Sequence, residues 1–160
     1  MTNNDILRRL RYTFDLSDSK MMALFSTAGL TATREQVCNW LKQEEDPDYT
    51  NCTDKQLAAF LNGLIIENRG GREGGPPKPE PRLTNNIILR KLKIALALKA
   101  GDILEILETA DLYISKHELS AFFRKPGHRH FRTCKDQVLR RFLRGVQMTY
   151  RPDVWNSADS

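Results

Sequence analysis

The sequence predicts an all-α chain: a tandem duplication of a four-helix unit, about eight helices in total, joined by a Gly/Pro-rich linker. Two observations carry this. An ungapped shift of 82 residues lays residues 2–69 over residues 84–151, and in both copies the apolar residues recur at helical rather than strand spacing. Thr2-Asn3-Asn4 falls on Thr84-Asn85-Asn86, Cys52 on Cys134, Asp54 on Asp136, and Phe60-Leu61-x-Gly63 on Phe142-Leu143-x-Gly145. Elsewhere the chemistry is kept while the residue changes, as where Trp40-Leu41 falls on Phe122-Phe123.

The first helix of each copy places Ile6, Leu7, Leu10 and Phe14, or Ile88, Leu89, Leu92 and Leu96, on one face, with Asn3 or Asn85 as its expected cap. The second carries Met21, Leu24, Phe25 and Ala28, or Ile103, Ile106, Leu107 and Ala110, at i, i+3, i+4, i+7. The third opens on a capping box, Thr33-x-x-Gln36 or Ser115-x-x-Glu118, in which two side chains satisfy helix-end donors that have no partner in the helix. The fourth is expected to start near Asn51 or Thr133 and to bury Leu57, Phe60, Leu61 and Leu64, or Leu139, Phe142, Leu143 and Val146. Glycine inside a helix costs roughly 1 kcal/mol against alanine, so Gly63 and Gly145, at matching positions of that helix, predict a close approach of two backbones.

Four domains of composition follow: residues 1–69 as the first repeat, 70–83 as the linker, 84–151 as the second repeat and 152–160 as a polar tail whose one candidate anchor is Trp155. The linker holds four of the nine glycines and four of the seven prolines, which reads as a solvated connector. A repeat of this size buries only about 60% of its unfolded surface, so the two copies are expected to touch.

Several function classes are excluded by what is missing. The chain has no apolar run near the ~20 residues a membrane span needs, and its first residues lack the basic and apolar regions of an export signal, so a cytoplasmic protein is expected. Three cysteines, Cys38, Cys52 and Cys134, fit free thiols in a reducing compartment better than a disulfide framework. Phosphate-cradling, nucleophile-elbow, zinc-protease and calcium-loop motifs do not occur, which argues for a protein that is not an enzyme and needs no cofactor. His128-x-His130 with Cys134 and His117 could offer nitrogen and sulfur to zinc, yet the first copy keeps Cys52 where Asp46, Asp48 and Glu35 replace those histidines. A solvated histidine loop and no metal is therefore the expectation.

Charge separates the copies. Residues 1–70 hold 8 basic and 10 acidic residues, whereas residues 84–151 hold 14 basic and 6 acidic. The same scaffold folds in a mildly acidic and a strongly basic form, so the extra arginines are not a folding requirement. They concentrate at Arg124, Lys125, Arg129, Arg132, Lys135, Arg140, Arg141 and Arg144; the last three replace Ala58, Ala59 and Asn62 and are expected to face solvent. Arginine forks suit phosphate groups, and so dense a like charge favours a use that offsets its repulsion. The expected function is binding of a polyanion such as RNA or DNA by the second repeat, without a membrane. The alternative is a helical adaptor for an acidic protein partner, or a homo-oligomer, with no nucleic-acid binding.

The repeated T-N-N-x-I-L-R opening, the [YF]-x-x-C-x-D before the last helix, the F-L-x-G within it and the Gly/Pro-rich connector resemble the YehS-like family of uncharacterised bacterial proteins, which carry two copies of one small domain. The resemblance spans nearly the whole chain. It implies a bacterial, cytoplasmic protein and supports the architecture; it brings no activity and no functional residues.

Overall fold

The computed structural model describes residues 1–151, so the tail with Trp155 lies outside the described residues. The described residues form eight helices and no strand: α1 (Asn3–Thr13), α2 (Asp18–Thr27), α3 (Arg34–Leu41), α4 (Asp54–Arg69), α5 (Asn85–Ala95), α6 (Ala100–Thr109), α7 (Lys116–Ala121) and α8 (Asp136–Tyr150). Four fall in each copy, in matching order.

The helix starts follow capping chemistry, with two corrections to the sequence reading. Thr33 and Ser115 close the expected boxes with Gln36 and Glu118. At α1 and α5, however, the cap is Thr2 or Thr84 rather than the asparagine, the threonine hydroxyl accepting from Asp5 N at 3.1 Å or Ile87 N at 3.2 Å. At α4 and α8 the caps are Thr53 and Lys135 rather than Asn51 and Thr133, so Cys52 and Cys134 lie before the helix and not in its first turn.

Asparagine is released from capping because it is used across the fold. Asn4 Nδ2 donates to Trp40 O at 2.9 Å and Thr50 O at 2.8 Å, while its Oδ1 accepts from Cys52 N at 3.0 Å. Asn86 repeats this with Phe122 O at 3.0 Å, Arg132 O at 2.9 Å and Cys134 N at 2.9 Å. The neighbouring Asn3 donates to Cys52 O and Asp54 Oδ1, and Asn85 donates to Cys134 O and Asp136 Oδ1. A buried backbone group left unpaired costs about as much as a missing hydrogen bond, so each Asn-Asn pair fixes the irregular segment leading into the fourth helix.

The duplicated glycines mark backbone crossings. A Cβ on Gly63 would stand 2.0 Å from Leu24 O, and one on Gly145 would stand 2.2 Å from Ile106 O, so only glycine lets α4 cross α2, and α8 cross α6, this closely.

The copies share one continuous core. Leu7, Leu10, Met21, Phe25, Leu57 and Phe60 join Leu89, Leu92, Ile103, Leu107, Leu139 and Phe142 in a single buried cluster. The junction is made by α1 against α8 and α4 against α5. Both pairs run parallel: Met1 N lies 3.9 Å from Asp136 Oδ2 while the Phe14 ring meets Tyr150 at 5.5 Å, and Leu83 N donates to Asp54 Oδ2 while Asn68 Nδ2 donates to Ala95 O. The expected contact between copies is thus a four-helix centre. The connector is solvated only in its first half, since Pro77, Pro79, Glu80 and Leu83 are half-buried and Glu80 reaches Lys91.

A candidate polyanion interface on the second copy

Five of the eight expected residues lie between the end of α7 and the start of α8. Arg124 and Lys125 leave α7, Arg129 and Arg132 stand in the loop, Lys135 caps α8, and all five are exposed. The loop is held from beneath by Asn86 on Arg132 O and by Arg132 N donating to Ala121 O at 3.2 Å. Within it, His128 N donates to Lys125 O, His130 N to His128 Nδ1 and Arg129 Nε to His130 Nε2. The geometry is fixed by backbone and imidazole acceptors, which leaves the positive charge uncompensated.

Arg140 and Arg144 extend the basic surface along the exposed side of α8, but Arg141 does not. Its side chain is half-buried, and Nη1 donates to Ala110 O at 2.7 Å, the carbonyl that closes α6. A helix end leaves carbonyls without an intrahelical partner, and a guanidinium there serves stability. The expectation that all three α8 arginines face solvent is corrected at this residue. Of the eight, Arg124, Lys125, Arg129, Arg132, Lys135, Arg140 and Arg141 form no ion pair with a described carboxylate.

The structure adds two cations that the sequence reading passed over. Arg8 and Arg9 of α1 line a cleft of about 480 Å³ with Arg140 of α8, joining the first copy to the basic side of the second. Arg8 is occupied: it pairs with Asp5 and donates to Lys42 O at 2.7 Å. Arg9 is half-buried, and burial, followed by the like charge of Arg144, pushes its pKa down, with Asp5 partly opposing. No signal within one copy could have found this pairing, because it depends on α1 lying against α8.

The thiols and histidines take no part in a common site. Cys52 and Cys134 are fully buried, and burial first, then Asp54 or Asp136, pushes each thiol up to about 12, far from the thiolate a nucleophile or metal ligand needs. His117, His128 and His130 are exposed, and the described residues contain no cluster of three His, Cys, Asp or Glu able to hold a metal ion.

Fold and surface together define a tandemly duplicated helical protein with one acidic and one basic copy sharing a core. No described helix is long and apolar enough to cross a membrane. The chain belongs to the DUF1456 family, described as proteins of unknown function, whose model matches twice, over residues 3–70 and 85–151. It is 44% identical over 147 residues to the uncharacterized protein YehS of Escherichia coli (strain K12), an alignment covering 91% of this chain and 94% of the relative. No solved structure matches.

Proposed function

We propose that the protein is a non-enzymatic binding protein whose second copy holds a polyanion, such as RNA or DNA, on the surface formed by Arg124, Lys125, Arg129, Arg132, Lys135, Arg140 and Arg144. One observation carries the reading. At the same place on the same backbone, the first copy carries Glu44, Glu45, Asp46 and Asp48, whereas the second carries a cluster whose loop cations have no described carboxylate partner. Uncompensated arginine and lysine on an ordered loop favour successive phosphates, and the counterions that binding releases supply most of the affinity. Exposed aromatic side chains are few there, so base stacking contributes little and sequence preference is weak.

Fluorescence anisotropy of labelled RNA and duplex DNA tests this on the full chain across ~50–200 mM salt. Affinity falls steeply with salt, and replacing Arg124, Lys125, Arg129 and Arg132 by glutamine flattens the log–log slope by ~0.7–0.9 for each phosphate that is no longer neutralised. Absent binding, or binding indifferent to salt, overturns the proposal. A defined oligomer that Arg140→Glu/Arg144→Glu dissolves, with no nucleic-acid binding, assigns the charge to the adaptor role instead.

A further inference from the structure

The internal duplication makes two grooves from one template, and the connector reaches into one of them. In the groove between α4 and α5, Lys91 Nζ donates to Asn62 Oδ1 at 2.6 Å and lies 3.0 Å from Glu80 Oε1. The Lys91 side chain is only 11% exposed, and the connector that brings Glu80 to it is anchored just beyond by Leu83 N donating to Asp54 Oδ2. A half-buried cation there has its carboxylate from within the chain.

The 82-residue shift carries Lys91 onto Arg9 and Asn62 onto Arg144, in the groove between α1 and α8. Among the described residues no connector carboxylate pairs with Arg9; Glu80 is placed on Lys91 instead. Arg9 makes no hydrogen bond or ion pair with any described residue; burial first, and then the like charge of Arg144 where the template has the neutral Asn62, push its pKa down, with Asp5 partly opposing. Arginine does not shed its proton in proteins, so an anion rather than titration is what offsets the charge on Arg9. The acid in the cleft, Asp5, is already engaged by Arg8 and by Thr2 N at 2.9 Å. What remains is a cleft of about 480 Å³ with Arg9 and Arg140 facing it and Tyr12 and Gln147 at its side.

We infer that this α1/α8 cleft is a recognition site for an acidic segment of a partner protein in extended conformation, its carboxylate meeting Arg9 as Glu80 meets Lys91. The template favours a peptide, since a proline-flanked glutamate meets the cation of the equivalent groove. The site shares Arg140 with the polyanion surface but turns on Arg9 of the first copy, and it does not depend on that surface binding nucleic acid.

The test is an NMR titration of the full-length ¹⁵N-labelled protein with acetyl-Pro-Glu-Pro-Glu-Pro-amide and with its Gln-for-Glu counterpart. Saturable shifts at Arg9, Tyr12 and Arg140 are expected with the first peptide, and at least ~10-fold weaker binding with the second. Arg9→Gln weakens binding to a similar degree without lowering the melting temperature, because Arg9 has no described partner to lose, and Arg9→Lys restores most of it. Binding that ignores the Glu-to-Gln change, or survives Arg9→Gln, overturns the inference; so does a cleft whose resonances stay still at millimolar peptide. The combined Arg124→Gln/Lys125→Gln/Arg129→Gln variant separates the two sites: it loses oligonucleotide and keeps the peptide. Cleft resonances that answer to oligonucleotide alone overturn the peptide site and leave the polyanion proposal standing.

Discussion

In the first copy the loop before the fourth helix carries Glu44, Glu45, Asp46 and Asp48; in the second, the same backbone path carries Arg124, Lys125, Arg129 and Arg132. The bonds that hold the two loops differ by about 0.1 Å at every equivalent point, because Asn4 and Asn86 bond to the same three backbone groups. Loop shape therefore comes from one buried amide and loop charge from side chains that fold stability does not use. The grooves teach the converse. Where the connector supplies Glu80, the cation beneath it is half-buried and paired; in the other groove the matching cation has no described carboxylate partner and lies near another arginine.

The comparison predicts that the copies respond alike to changes in the frame. The largest effect is at the crossings. Gly63→Ala and Gly145→Ala each force a Cβ to within about 2 Å of a carbonyl oxygen on the neighbouring helix and should cost at least ~3 kcal/mol in urea denaturation. Gly101→Ala is the control, since nothing lies within 4 Å of the added carbon in α6, and it should be neutral or stabilise by ~0.5–1 kcal/mol. A Gly145→Ala protein with the wild-type midpoint would mean that α6 and α8 do not cross as described.

Next come the asparagines. Asn4→Ala or Asn86→Ala leaves one amide N–H and two carbonyls unpaired at the base of the loop and should cost ~2–4 kcal/mol, nearly equally in the two copies. An Asn86→Ala loss far below that of Asn4→Ala would show that the basic loop has a second means of support, and the identity of the two frames would fail.

Most of the frame is legible in the sequence because its signals are local or duplicated. The i, i+3, i+4 apolar positions fix the helices, Thr33 and Ser115 fix their starts, and glycine recurring at 63 and 145 has no local advantage and so points to packing. The misreadings share a cause. Asn3 and Asn85 look like caps because asparagine is a good cap, but their amides reach residues some 50 positions away. Arg141 looks exposed on a wheel of α8 alone, yet the end of α6 lies over it. Arg9 belongs to the mildly acidic copy and gains its meaning only once α1 is beside α8. The basic loop is thus visible from charge counting, and the cleft is not, since no local pattern reports which helix ends against which.

The smallest effect tests whether the paired cysteines are the same structural part. Cys52 and Cys134 are each fully buried, and burial, with the nearby Asp54 or Asp136, raises each thiol from 9.0 to about 12. A raised folded pKa means that the fold holds the neutral thiol, so its contribution is complete below about pH 9, where the unfolded thiol is also neutral. It is lost as pH climbs from there toward about 12. At pH 10 the loss is on the order of 1 kcal/mol per thiol. The stability lost between pH 8 and pH 10 should therefore shrink by ~2–3 kcal/mol in Cys52→Ala/Cys134→Ala, and by about half of that in either single variant. At pH 8 the wild-type protein should give one prompt thiol with a maleimide, the half-buried Cys38, and two that react only on unfolding. Unequal shares from the two single variants, or a prompt reaction at Cys134, would show that the basic copy opens where the acidic copy stays shut, and motion as well as charge would then divide them.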